Sequence, residues 1–119
     1  MGMGIRTTIF PIRMKLREKE PWELVIEVEN EDATQKNVSV VLELPPAASF
    51  STVGLTDRFE KQIENFRPSG TIQLKMPVYQ SNSADVGYFT GKVIVEEHPH
   101  GFEYAGRKIS KEIPIRIVA

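Results

Sequence analysis

Asn37-Val38-Ser39-Val40-Val41-Leu42-Glu43-Leu44-Pro45 is the stretch that decides the fold. Val38, Val40, Leu42 and Leu44 take every second place, with Ser39, Val41 and Glu43 between them. Successive side chains of a strand point to opposite faces, so this period of two predicts a strand with one buried and one wet face. Pro45 stops it. Val41 departs from the pattern, being apolar at an outward position.

The same alternation recurs on both sides of this stretch. It runs through Phe10, Ile12, Met14 and Leu16, and through Trp22, Leu24, Ile26 and Val28. It returns in Ile72, Leu74, Met76 and Val78, then in Phe89, Gly91, Val93 and Val95, and last in Ile109, Ile113, Ile115 and Ile117. A weaker strand is read near Phe59 to Phe66, with one helical turn over 56–65 as its alternative, and a short strand near Ala48 to Thr52. Lys19-Glu20-Pro21, Asn30-Glu31-Asp32, Pro45-Pro46, Arg67-Pro68-Ser69-Gly70 and Ser81-Asn82-Ser83 supply turn residues between the runs. The pattern predicts an all-β, immunoglobulin-like two-sheet β-sandwich of seven to eight strands. Its expected bounds are a flexible N-terminal segment over 1–8 and a single domain over 9–119. Pro11, Pro77 and Pro114 fall at outward strand positions, which places them on sheet edges. A hairpin around Glu18 to Pro21 would set Arg17 against Glu23 and Arg13 against Glu27, neutralising the basic stripe Arg13, Lys15, Arg17.

Composition narrows the function. The chain has 119 residues, enough to bury a core without staples. It has no cysteine, so disulfides, thiolate nucleophiles and cysteine-bound metals are outside its chemistry. Fifteen basic and sixteen acidic residues are interspersed, and the formal charge is −1. Nucleic-acid binding is therefore not expected, for want of a basic footprint. No apolar run is long enough for a membrane span, and the start lacks the apolar region of a signal peptide. A cytoplasmic location is the default expectation, and an extracellular one if the chain is a piece of a larger exported protein.

The order of the motifs carries a resemblance. Val28-Glu29-Asn30-Glu31-Asp32 closes one strand, and Asn37 to Pro45 forms the next. Ile63-Glu64-Asn65-Phe66-Arg67-Pro68-Ser69-Gly70 precedes a further strand, and Gly87-Tyr88 opens the one through Val93-Ile94-Val95-Glu96. This order resembles the bacterial and archaeal immunoglobulin-like modules of the cell-adhesion-related (CARDB) and fibronectin type III-like kind, over roughly Phe10 to Val118. The resemblance implies a spacer, adhesion unit or docking surface without catalysis. Pro68-Ser69-Gly70 departs from the simple Pro-Gly of that pattern, and the Cys…Trp…Cys core of antibody domains is absent.

Two features compete as sites. Glu97-His98-Pro99-His100-Gly101-Phe102-Glu103-Tyr104 holds both histidines. His98 and His100, two apart, with Glu97 or Glu103, are a donor set suited to zinc, copper or nickel. The preferred reading is structural: Pro99 and Gly101 set the tip of a hairpin, onto which Phe102 and Tyr104 fold back. The second feature is on the sheet. Val41 and Ile94 are apolar at outward positions of strands that neighbour each other in such a sandwich, and Tyr88 projects to the side of Ile94. These make a candidate contact patch, the 97–104 tip with Phe102 and Tyr104 is a second candidate surface, and the last strand offers a sheet edge. Asn37-Val38-Ser39 fits a glycan acceptor, a pattern that chance supplies easily. No strand–turn–helix elbow or phosphate loop is present, so no catalytic residue and no cofactor are expected. The reading is a non-catalytic interaction or structural module that binds another protein or itself. The alternative is a small metal- or carbohydrate-binding accessory domain using the 97–104 loop.

Overall fold

The computed structural model describes residues 3–10, 13–17, 20–51, 57–81, 84–99, 101–104 and 106–119. They form nine strands: β1 (Met3–Phe10), β2 (Arg13–Lys15), β3 (Trp22–Asn30), β4 (Lys36–Glu43), β5 (Ala48–Ser49), β6 (Arg58–Phe66), β7 (Thr71–Gln80), β8 (Gly87–Glu97) and β9 (Lys108–Val118). One sheet runs β1-β3-β7-β5 and the other β2-β9-β8-β4-β6. Neighbours are antiparallel except β2, which lies parallel to β9. This is the expected immunoglobulin-like sandwich.

The core is the set of inward positions that the alternation marks. Leu24, Ile26 and Val28 of β3 and Val78 of β7 are fully enclosed, as are Val38, Val40 and Leu42 of β4 and Val93 of β8. Ile113, Ile115 and Ile117 of β9 complete the cluster. Burying each such side chain contributes about 1.5–3 kcal/mol, so these few residues dominate the stability. Trp22 closes one end at 1% exposure, with its indole Nε1 unpartnered.

The N-terminal reading needs correction. Residues 3–8 are not outside the sandwich; they belong to β1, which pairs with β3 from Met3↔Asn30 to Phe10↔Glu23. The expected hairpin is absent: Arg6, not Arg13, faces Glu27. Arg13, Met14 and Lys15 instead pair with Arg116, Ile117 and Val118. The chain leaves the four-stranded sheet after Phe10 and re-enters in the other at Arg13, so one apparent run is two strands. Phe10 consequently faces outward, 73% exposed, while Met14 is buried. Pro11 and Ile12 lie outside the described residues. Arg58–Phe66 is a strand, not a helical turn, and the short strand is Ala48–Ser49, with Thr52 outside the described residues.

Each described proline of the strands sits where the ladder is open. β5 covers only Gln80 and Tyr79 of β7, which leaves Pro77 on a free edge. β2 covers β9 only from Arg116 to Val118, which leaves Pro114 uncovered. The C-terminal end of β9, expected as a free edge, is thus taken by the chain's own β2, and Leu16 N donates to Val118 O at 2.7 Å. Two lysines blunt the outer strands of the five-stranded sheet from the core side. Lys61 of β6 opposes the core residue Val40, and Lys111 of β9 opposes Val93 and reaches Ile5 O at 3.3 Å. Inward charges at an edge strand discourage pairing with another chain.

Candidate interaction surface and the 97–107 loop

The registers of β6, β4, β8 and β9 set the outer face of the five-stranded sheet in rows. Val41 opposes Ile94 directly, with Glu60 and Ser110 at the ends of that row. One row toward the loop are Gln62, Ser39, Glu96 and Lys108. One row the other way are Arg58, Glu43, Lys92 and Glu112. Val41 and Ile94 are half-buried, whereas the charged row is exposed throughout. A shallow depression of about 230 Å³ lies over the apolar pair, walled by Phe102 and His98 on the loop side. Arg58 pairs with Glu60 at 3.2 Å, but among the described residues Glu43, Lys92 and Glu112 make no ion pair.

The 97–107 loop is built around His98. The residue is 5% exposed. Its Nδ1 contacts Tyr104 O at 2.9 Å and its Nε2 contacts Ser39 Oγ at 2.9 Å. A carbonyl only accepts, so Nδ1 carries a proton, and in the neutral ring Nε2 accepts from the serine hydroxyl. The Phe102 ring lies 5.1 Å from the imidazole, closing it over. Further ties hold the base of the loop: Glu97 N to Arg107 O at 2.8 Å, His98 N to Asn37 O at 2.7 Å and Gly106 N to Glu96 Oε2 at 2.8 Å. Gly106 leaves no space for a Cβ, which would overlap the Glu97 carbonyl. Gly101, at φ 105°, takes the left-handed backbone that the tip requires.

Beside the loop lies a cleft of about 450 Å³ lined by Thr34, Gln35, Lys36, Asn37, Asn65, Glu97, His98, Pro99 and Arg107. Two of its charges, Lys36 and Glu97, compensate each other. Lys36 Nζ lies 3.3 Å from Glu97 and 3.5 Å from Asp32. The hydrogen bond to Glu97 is the main cause that raises the Lys36 ammonium above its usual value, and the negative charges of Glu97 and Asp32 add to it. Asn37 sits at a bulge of β4, and its Oδ1 accepts from Asn65 N at 3.0 Å.

The expected site residues therefore divide. Val41 and Ile94 come together as a cross-strand pair, with Phe102 beside them. Tyr88 is six residues along β8, about 20 Å away at strand spacing, 78% exposed and covered by the Arg116 guanidinium at 5.0 Å. Tyr104 is 61% exposed, away from the depression, and serves the loop through its carbonyl. His98 has both ring nitrogens in use and offers none to a metal in this arrangement; His100 lies outside the described residues. Among the described residues no three acidic or histidine side chains converge as a metal site. Ser39 is the residue that sequence reasoning passed over. A serine between valines reads as wet, yet it is buried under the loop as the partner of His98.

The described residues hold no helix long and apolar enough to cross a membrane. No protein-family model matches the sequence, and no curated protein matches it. The fold is similar to that of the FixG-related protein from Vibrio parahaemolyticus. The TM-score is 0.61 at 10% identity, over 98% of this chain and 97% of that one. It is also similar to a part of E. coli alpha-2-macroglobulin, with a TM-score of 0.58 at 13% identity, over 95% of this chain but 7% of that one. The ASH / PapD-like domain 7 of human CEP192 matches with a TM-score of 0.49 at 16% identity, over 98% of this chain and 84% of that one. At such identities the first two likenesses show the fold alone, in keeping with the immunoglobulin-like β-sandwich of the two sheets.

Proposed function

We propose that the chain is a non-catalytic protein-interaction module that docks through the outer face of β6, β4, β8 and β9. The Val41–Ile94 pair carries this reading: two apolar side chains side by side among polar and charged neighbours on the sheet face. The blunted edges support it, since Pro77, Pro114, Lys61 and Lys111 make strand addition the poorer route. The 97–107 loop is read as a closure of the sandwich rather than a metal or carbohydrate site, because its histidine is spent on holding Ser39 and Tyr104. The finer likeness to CARDB and fibronectin type III-like modules is part of the same proposal. Asn30 supports it by giving the motif Asn30-Glu31-Asp32 a structural task. Its Nδ2 donates to Thr34 O at 3.0 Å and Phe66 O at 2.9 Å, and its Oδ1 accepts from Asp32 N at 3.0 Å.

The test is site-specific photo-crosslinking in the cells of origin. A benzophenone side chain replaces Ile94 in one variant and Glu27, on the outer face of the other sheet, in a second. Covalent adducts to protein are expected from position 94 and not from 27. Equal labelling at both, or adducts from 27 alone, contradicts the proposal.

A further inference from the structure

The charged row beside the apolar pair is its own complement. Read across the sheet it runs Arg58, Glu43, Lys92, Glu112, alternately positive and negative. Reversed, the same row runs negative to positive. A two-fold axis lying in the face, parallel to the strands and between β4 and β8, performs that reversal. It sets Arg58 against Glu112 of a second copy and Glu43 against Lys92, each twice. It also sets Val41 against Ile94, so the two apolar pairs meet as a four-residue cluster. In the next row Gln62 meets Lys108, while Ser39 stays covered by the loop. No like charges are opposed. On the other outer face Glu23, Glu27 and Glu29 share the outward side of the central strand β3 with Val25, and a two-fold along that strand would bring acid against acid at the three glutamates.

We infer that the occupant of the docking face is a second copy of this chain, packed face to face about a two-fold axis along β4 and β8. The inference rests on the proposed docking surface and names its partner. An isologous contact requires a patch complementary to itself, which the row supplies. Among the described residues Glu43, Lys92 and Glu112 make no ion pair within their own copy, while Arg58, held to Glu60 at 3.2 Å, has to share or exchange that partner on docking. Four strands at about 4.8 Å and three rows at about 7 Å give about 400 Å² per copy, or about 800 Å² in all. That lies below the range of stable complexes and implies a weak, concentration-dependent dimer.

Sedimentation equilibrium of the full chain, from about 1 µM to 1 mM, tests the inference together with charge swaps at exposed positions. Arg58→Glu and Glu112→Arg should each weaken dimerisation about tenfold or more. The double variant Arg58→Glu/Glu112→Arg should restore it. An equimolar mixture of the two single variants should associate more tightly than either alone, since each then supplies what the other lacks. A monomer throughout, a dimer indifferent to Arg58→Glu, or a double variant that stays weak overturns the inference. The docking surface itself fails separately: adducts from position 94 to a protein of another mass, with a monomer throughout, would leave the surface standing and remove the second copy as its occupant.

Discussion

At the residue scale two side chains hold the ends of the sandwich. Asn30, 0% exposed, ties the β3–β4 turn to the end of β6, and its backbone N–H and C=O bond Gly70 and Ser69. Asn30→Ala removes three side-chain hydrogen bonds and strands the buried Phe66 carbonyl, a loss of about 3 kcal/mol. Asn30→Asp should be worse, because a carboxylate would face the Thr34 and Phe66 carbonyls. Urea midpoints at neutral pH check both. His98→Ala should cost about 2 kcal/mol through loss of the Ser39 and Tyr104 bonds, and should loosen amide exchange over 101–107. Zinc titration should leave the melting temperature of the wild type unchanged. Lys36 adds a pH dependence. Its raised ionisation means that the fold favours the charged ammonium, a contribution complete below the ordinary value of 10.5 and lost as pH rises through the folded value. The stability gap between wild type and Lys36→Met should therefore hold steady up to about pH 10 and narrow as the pH rises above 10.5. Val41 and Ile94 were readable from sequence because the phase of each strand is unambiguous. The task of His98 was not, because its side-chain partner Ser39 lies 59 residues away.

At the element scale, alternation identified every long strand whose inward residues are large and aliphatic. It missed β1, whose inward positions are Ile5, Thr7 and Ile9, with little contrast against Arg6 and Thr8. The apparent run from Phe10 to Leu16 hid a change of sheet, since the period of two records which side chains face a core but not which sheet carries the strand. Pairing partners were likewise out of reach: β2 joins β9 in parallel, across nearly the whole chain. The edge devices lead to a prediction of their own. Lys111→Val and Pro114→Val together remove an inward charge and restore a ladder donor on the open part of β9. The variant should fold, yet aggregate at lower concentration than the wild type, with thioflavin binding as the readout.

At the scale of the whole molecule, the two outer faces differ in what they can meet. The four-stranded sheet presents an acidic central strand, and the five-stranded sheet an apolar pair beside an alternating charged row. A two-fold along β3 opposes acid to acid, whereas the axis between β4 and β8 opposes unlike charges. Raising salt should weaken the association, since part of its specificity is ionic, while the Val41–Ile94 cluster persists. Amide chemical shifts followed while the isotope-labelled chain is diluted from about 1 mM to 10 µM test the central claim most directly. The account predicts shifts confined to Arg58–Gln62, Ser39–Glu43, Thr90–Glu96 and Lys108–Glu112, with Glu23–Glu29 unmoved. Spectra that do not change on dilution, or shifts centred on β3, would contradict it.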